Sequence, residues 1–326
     1  MIRYLEFRDG AVKKGNNLNY GMPKKDNYLL IFLTRPTETE IKKIIKDFRI
    51  DPEPLNKYTK ETHSRRYITK PFQFVMRSTF LEKDVIGYAN LLFILMNRVL
   101  IVSVSKPSEF YEEIMNDLSE VFAKTKVRSV GHILYSFLQE DVDENYDVLG
   151  KIEQRIRDVE AKASKTKLND SRMSVDDILS LKRQLFRMSR QFWATTRVVS
   201  LIRIGVAQVV IDKESERMLG DVHETFLHQI DVAAAQKEMV SDVLNVYSTT
   251  LSNMLAISSN ELNIIMKKVT SYATLVLIPT LVAGVYGMNF KYIPLAEMKY
   301  GFAIIIGIMA VMTALALANF IKNDWL

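Results

Sequence analysis

The stretch VTSYATLVLIPTLVAGVYGMNF, Val269 to Phe290, runs for 22 residues without a charged side chain. A second uncharged run of 21 residues, Gly301 to Ile321, follows a ten-residue polar connection. About 20 apolar residues span the hydrocarbon core of a bilayer as a helix, so both runs read as transmembrane helices. Over residues 269–326 charge is confined to Lys291, Glu297, Lys299, Lys322 and Asp324. The first run ends unusually for an anchor. Glycine weakens a helix, and an asparagine carboxamide offers one carbonyl oxygen and one NH2 group. That end is either a frayed terminus or a binding site.

Working back from the spans, the opening MIRYLEFRDG carries Arg3, Glu6, Arg8 and Asp9 and has no apolar centre. No export signal is expected there. The residues before the first span are therefore expected in the cytoplasm. Two spans return the C-terminus to the same side, as in an integral protein of the plasma or inner cell membrane. Lys267, Lys268 and Lys322 would face inward and Lys291 and Lys299 outward, a weak charge bias.

Composition excludes several classes. Cysteine is absent, which removes disulfides and thiolate metal sites. Of the four histidines only His223 and His228 are near in sequence, and five residues apart they do not share a helix face. The net charge of +6 comes with acids and bases alternating, as in KIEQRIRDVEAK (151–162). That pattern reads as a solvated helix surface rather than a nucleic-acid stripe. Glycines 10, 15, 21 and 87 are isolated, so no phosphate-cradling loop is expected. No triad or other enzyme site is legible.

Prolines divide the chain: six of eight fall at or before Pro107, and none lies between 108 and 278. The runs NYLLIFLT, FQFVMRSTF and RVLIVSVS read as strands, and EIKKIIKDFRI as a helix. Together they predict an α+β domain over residues 1–125. Two long helices, 128–164 and 174–211, form an antiparallel pair over 126–212. Asn169, Asp170 and Ser171 break them, and Ser174 is placed as N-cap. A stalk helix begins near Lys213, occupies 213–268 and continues into the first span, 269–290. At ~1.5 Å per residue those 78 residues reach roughly 117 Å, which predicts packing against copies of itself. A loop (291–300), the second span (301–321) and a tail (322–326) complete the layout. Within the stalk, LSNMLAI and SSNELNI are two imperfect heptads with Asn253 and Asn260 in the same place.

Steps of three and four from Asn263 pass through Met266, Thr270, Ala273, Leu277, Thr280, Gly284 and Gly287, with Val269 beside Thr270. This face is small, hydroxylic or flexible, whereas Leu275, Val276, Ile278, Leu281, Val282 and Val285 occupy the others. Small residues on a stripe suit close helix packing. Polar groups at membrane depth suit a cavity or pore.

YGMNF (286–290), preceded by PTLVAGV and followed by one more span ending in WL (325–326), resembles the CorA family of magnesium and divalent-cation channels. The tripeptide Gly287-Met288-Asn289 matches the family's signature. The resemblance continues through ILYSFLQEDVDENYDVLGKIE (133–153), LKRQLFRMSRQFW (181–193) and GDVHETFLHQID (220–231). It covers roughly residues 130–326, with the first domain alike mainly in layout. It implies a homopentamer in the lipid bilayer, with the first spans around a pore and Gly287, Met288 and Asn289 as an outer selectivity filter. Thr280 and Gly284 would continue the path, Leu277, Val269 and Met266 would form apolar gating rings, and Asn263 an inner polar ring. Cytoplasmic Mg2+, also the transported ion, would be sensed between protomers. Asp221 falls on the family's stalk aspartate. Glu82 or Asp84 is its candidate partner, and Asp143 or Glu144 a secondary site. No organic cofactor is implied.

The chain departs from the family in four places. The outer loop KYIPLAEMKY has Glu297 as its one acid, Asn245 stands for a stalk aspartate, the basic cluster after the second span shrinks to Lys322, and the interval from Asn245 to Asn263 is one heptad longer. The expected function is a passive, magnesium-gated channel. A zinc or cobalt/nickel transporter of the same fold, and a non-conducting membrane-tethered coiled-coil scaffold, are the alternatives.

Overall fold

The computed structural model describes residues 2–8, 11–17, 19–24, 27–163, 175–289, 291–295 and 297–326. The predicted break at Asn169–Ser171, the Ser174 cap, Gly10 and Phe290 lie outside the described residues. The described chain forms two compact units, divided between Val246 and Tyr247.

In the first unit a seven-stranded sheet has the order β2-β1-β3-β7-β6-β5-β4. Its strands are β1 (Ile2–Arg8), β2 (Ala11–Gly15), β3 (Tyr28–Thr34), β4 (Arg65–Tyr67), β5 (Phe72–Glu82), β6 (Val85–Leu95) and β7 (Val99–Val104). The β3–β7 pair is parallel and every other pair antiparallel. The three strands expected from sequence correspond to β3, β5 and β7. β1 was obscured by its charges: Glu6 is buried, bonded by the Gly21 amide and paired with Arg8 at 2.7 Å. A buried carboxylate is tolerated when its oxygens are satisfied this way.

Both faces of the sheet are covered, so its central strands are continuous apolar runs. On one face Leu29, Ile31, Leu33, Leu92, Ile94 and Ile101 meet Ile44 of α1 (Glu38–Phe48) and Leu55 of α2 (Pro52–Lys57). Thr37 caps α1 in a reciprocal box with Glu40, satisfying two orphan backbone donors. On the other face Phe93 stacks on Phe74 at 4.7 Å and meets Phe137 of α4 (Val130–Ala163) edge-on at 5.3 Å. Phe7 meets Phe122 of α3 (Glu109–Lys124) at 5.1 Å.

α5 (Val175–Arg203) and α6 (Lys213–Tyr286) complete the long helices. Asp212 starts α6 by accepting from the Ser215 amide, which matches the start expected from sequence. Leu219, Val222, Phe226, Ile230, Ala233, Val240 and Val243 form its buried stripe. Gln229 and Gln236, seven residues apart, donate to the carbonyls of Val142 and Leu149, also seven apart, at 2.7 and 3.1 Å. Two buried amide bonds in the same register tie α6 to α4 at one setting.

Under β5 lies a buried polar cluster. Thr79 donates to Asn145 at 2.6 Å, and Asn145 donates to Asp141 at 3.0 Å. Ser78 and Tyr111 are buried beside them. Burial pushes the Asp141 carboxyl from 3.8 up to about 7, against the pull of Ser78 and Asn145. Between those two values the unfolded chain has released the proton that the folded chain retains, so stability falls as pH rises through this window and levels off above it. Asp141→Asn should abolish that dependence. In metal-free buffer its advantage over the wild type should grow by roughly 2–3 kcal/mol between pH 5 and pH 8. Parallel melting curves, read as several degrees of difference in Tm, check this.

Candidate ion pathway and cation sites

α6 remains helical to Tyr286, and none of its residues after Val243 is buried until Ser271, which is fully buried. Ser271, Thr274, Leu275, Ile278, Pro279, Val282 and Tyr286 are the covered or half-covered positions, a single face at helical spacing. Pro279 shares a cavity with Ile306, Met309, Ala310 and Thr313 of α7 (Gly301–Lys322), so α7 lies against this side of α6. Within the former group of other-face residues, Leu275, Ile278 and Val282 are half-covered, while Val276, Leu281 and Val285 are bare.

The stripe picked out by sequence is bare throughout. Asn263, Met266, Val269, Leu277, Thr280 and Gly284 are all exposed, Met266 at 61%, Val269 at 56% and Leu277 at 63%. A side chain added at Gly284 would meet nothing within 4 Å. Thr280 donates to the Val276 carbonyl at 2.7 Å and Thr274 to that of Thr270 at 2.8 Å. Donation backward satisfies each hydroxyl proton and leaves the oxygen lone pairs able to accept. Proline has no N–H, so Pro279 leaves the Leu275 carbonyl without its helical donor.

The first span was expected as helix through Phe290, and here the structure corrects the boundary. The helix stops at Tyr286, Gly287 and Met288 form a turn closed by bonds to Ala283 and Val285, and Asn289 is exposed in irregular backbone. A Cβ at Gly287 would stand 3.2 Å from the Ala283 carbonyl oxygen, so glycine keeps this turn compact. The described part of the connection folds over Gly301, where a Cβ would overlap the Leu295 carbonyl oxygen. Lys291 and Lys299 lie over the rings of Tyr292 and Tyr300. At the far end Trp325 stacks on Phe320 at 5.6 Å.

The acidic candidates fall into two groups. Asp221 on α6 and Asp143 on α4 both act on Tyr135, whose phenol is pushed up by burial first and then by these two carboxylates. Both are gathered on one region of the surface. Glu82 and Asp84 sit at the β5–β6 hairpin, whose two-residue turn puts Lys83 and Asp84 at positive φ, 49° and 66°. Such turns match the twist of the strands they join. Asp84 is already engaged: Lys151 bonds it at 2.8 Å, and the Arg155 guanidinium lies 3.4 Å from its backbone oxygen. The Lys151 bond and charge hold its carboxyl below the usual range. Glu144 accepts from the Leu81 amide, while burial pushes its carboxyl up. Among the described residues of this single chain, no group of three or more His, Asp or Glu side chains could hold a metal ion.

Tyr135 and Lys151 escaped the sequence reading. Tyr135 and Lys151 are sixteen residues apart on α4, which at ~100° per residue places them on nearly opposite faces. Lys151 meets a hairpin 67 residues away, and no local pattern announces such a contact.

A family model for the CorA-like Mg2+ transporter protein matches residues 27–322. The chain is 29% identical over 195 residues to the cobalt/magnesium transport protein CorA of Thermotoga maritima, covering 60% of this chain and 52% of that one. The match thus spans about half that relative's length. With the magnesium transport protein CorA of Campylobacter jejuni the identity is 22% over 342 residues, covering 99% of both. The complete structure of the CorA magnesium transporter from Methanocaldococcus jannaschii superposes with a TM-score of 0.72 at 20% identity, covering 100% of this chain and 99% of that one. The chain belongs to the CorA-like Mg2+ transporter family, as an integral membrane protein with two membrane-spanning helices.

Proposed function

We propose that this protein is a passive divalent-cation channel, with Mg2+ as its ion, built from five copies whose first spans surround the pore. The observation that carries this reading is the placement of Asn289 just beyond the end of an apolar helix whose 263–284 stripe is bare. Magnesium dehydrates reluctantly and keeps several waters. Five neutral carboxamides with nearby backbone carbonyls accept hydrogen bonds from those waters and hold the ion loosely enough to release it. Below them Thr280 and Gly284 continue a hydrated path, Leu277, Val269 and Met266 close it by dewetting, and Asn263 rings the inner end. Lys291 and a single loop acid weaken the attraction of cations to the mouth.

The first unit lies in the cytoplasm, and cytoplasmic Mg2+ bound between protomers holds the channel closed. Asp221, with Asp143 nearby, supplies one side. Glu82 supplies the other, because Asp84 is engaged by Lys151 and Glu144 by Leu81. Bound cations relieve the repulsion between such carboxylates. The Thermotoga relative's name pairs cobalt with magnesium, and Co2+ is the second ion to test. Zinc or nickel transport is a further outcome of the same assay. A non-conducting scaffold would leave Asn289 and Thr280 without a role.

In proteoliposomes Asn289→Ala should lower Mg2+ uptake about tenfold or more while assembly, read by light scattering, is unchanged. Asn289→Asp should bind Mg2+ more tightly and conduct more slowly. Wild-type flux in the alanine variant, or equal flux for Mg2+, Co2+, Ni2+ and Zn2+, would exclude this filter.

The regulatory site makes a separate prediction. Lys151→Ala frees Asp84, so the Mg2+ concentration that half-protects the protein from trypsin should fall about threefold to tenfold. Asp221→Asn should raise it. Unmoved midpoints in both variants would remove the hairpin and Asp221 from the sensor.

A further inference from the structure

The first unit also contains a cleft of about 1050 Å³ between edge strand β4, α5 and the first part of α6. Its lining includes Arg65 and Arg66 from β4, Arg190, Trp193 and Arg197 from α5, and His223 from α6, and no carboxylate. Positions 190, 193 and 197 lie on one face of α5. Trp193 is 58% exposed there, an expensive placement for an indole without a partner.

Clustered guanidinium groups normally alternate with acids. Among the described residues, Arg65 alone of the four arginines has an ion pair, with Glu61 at 3.4 Å. Nearby, the Arg77 guanidinium is held below its usual range by burial first, with Arg187 and Arg190 adding to that effect and Tyr88 opposing it. Two nitrogens in the lining are buried without a hydrogen-bond partner, Arg66 Nε, always a donor, and His223 Nδ1. Glu224 lies 3.6 Å from that His223 nitrogen, beyond hydrogen-bond reach. Arg66 is held in place by stacking on Phe72 at 5.3 Å, so its fork is oriented before any ligand arrives.

An unpaired buried donor costs free energy, and four like charges around one cavity repel. A single anion with several oxygen acceptors removes both penalties. Phosphate suits best because guanidinium forks bind its oxygens in pairs, and an exposed indole beside arginines offers a stacking wall for a planar ring. We infer that the β4–α5–α6 cleft is a binding site for a nucleoside phosphate, with Arg66, Arg190, Arg197 and His223 on the phosphates and Trp193 stacked on the base. The site is separate from the acidic residues of the proposed cation sensor and does not depend on that reading.

Equilibrium dialysis of the full chain in detergent, with radiolabelled ATP, EDTA and 150 mM NaCl, tests this directly. ATP should bind saturably, one per chain. Inorganic phosphate and glycerol phosphate should compete at least tenfold more weakly than ATP, and adenosine weakly. Arg190→Ala with Arg197→Ala should weaken ATP at least tenfold, and Trp193→Leu should weaken ATP about fivefold or more while leaving phosphate unchanged. In a Trp325→Phe background the remaining tryptophan, Trp193, should quench on binding with the same midpoint. Glycerol phosphate competing as well as ATP would overturn the nucleotide assignment in favour of a lipid headgroup. Absence of saturable binding to millimolar ATP, displacement by chloride alone, or wild-type affinity in folded arginine variants would overturn the site.

Discussion

One helix outruns its own core. The buried stripe of α6 ends at Val243, yet the helix continues to Tyr286. Up to Val243 each turn is held by apolar burial and by the two glutamine bonds to α4. Beyond it Leu255, Ile257, Leu262 and Ile265 are more than half exposed in a single chain. An isolated helix of that kind is marginal in water, because most helical stability in proteins comes from packing an apolar face. Within one chain that apolar surface has no protein cover, which leaves it to lipid or to other chains.

Electrostatics in the first unit point the same way. Asp221 and Asp143 act together on Tyr135, while the hairpin that bears Glu82 and Asp84 sits beside Lys151 and Arg155. One region is rich in carboxylates that a cation would stabilise. The other already has a lysine ammonium beside its exposed aspartate. A fixed ammonium is a point charge held by a flexible stem, so it neutralises Asp84 without demanding the octahedral geometry of magnesium. The proposed sensor therefore differs between its two sides in how much charge remains for an ion to satisfy.

In the membrane the same rule of satisfaction governs small details. Backbone polar groups there must find partners within the protein or a water-filled path. Thr274 and Thr280 return their protons to α6. Pro279 frees the Leu275 carbonyl beside the cavity it shares with α7. Irregular backbone begins only at Gly287, at the end of the apolar run. The polar groups of this span are thus divided between the bare stripe, with Thr270 and Thr280, the covered side, with Ser271 and Thr274, and the terminus.

The two spans and the start of α6 were legible in the sequence. Each is set by local periodicity or by an unbroken absence of charge, and neither needs a distant partner. The end of the helix at Tyr286 was not legible, because Met288 and Asn289 can each continue a helix; Gly287 still bonds Ala283 in the helical pattern, and the change comes where Met288 bonds Val285. Four of the seven strands were missed; among them β1 hides a buried Glu6, β2 is an exposed edge bearing two lysines, and β4 has only three residues. The tertiary structure decided which acids are available. Lys151 reaches Asp84 across 67 residues, Thr79 reaches Asn145 across 66, and the packing of α6 on α4 brings the Asp221 charge to act on the Tyr135 phenol. Such contacts are fixed by the register of packed elements, which depends on the sum of many side-chain fits rather than on any spacing along the chain.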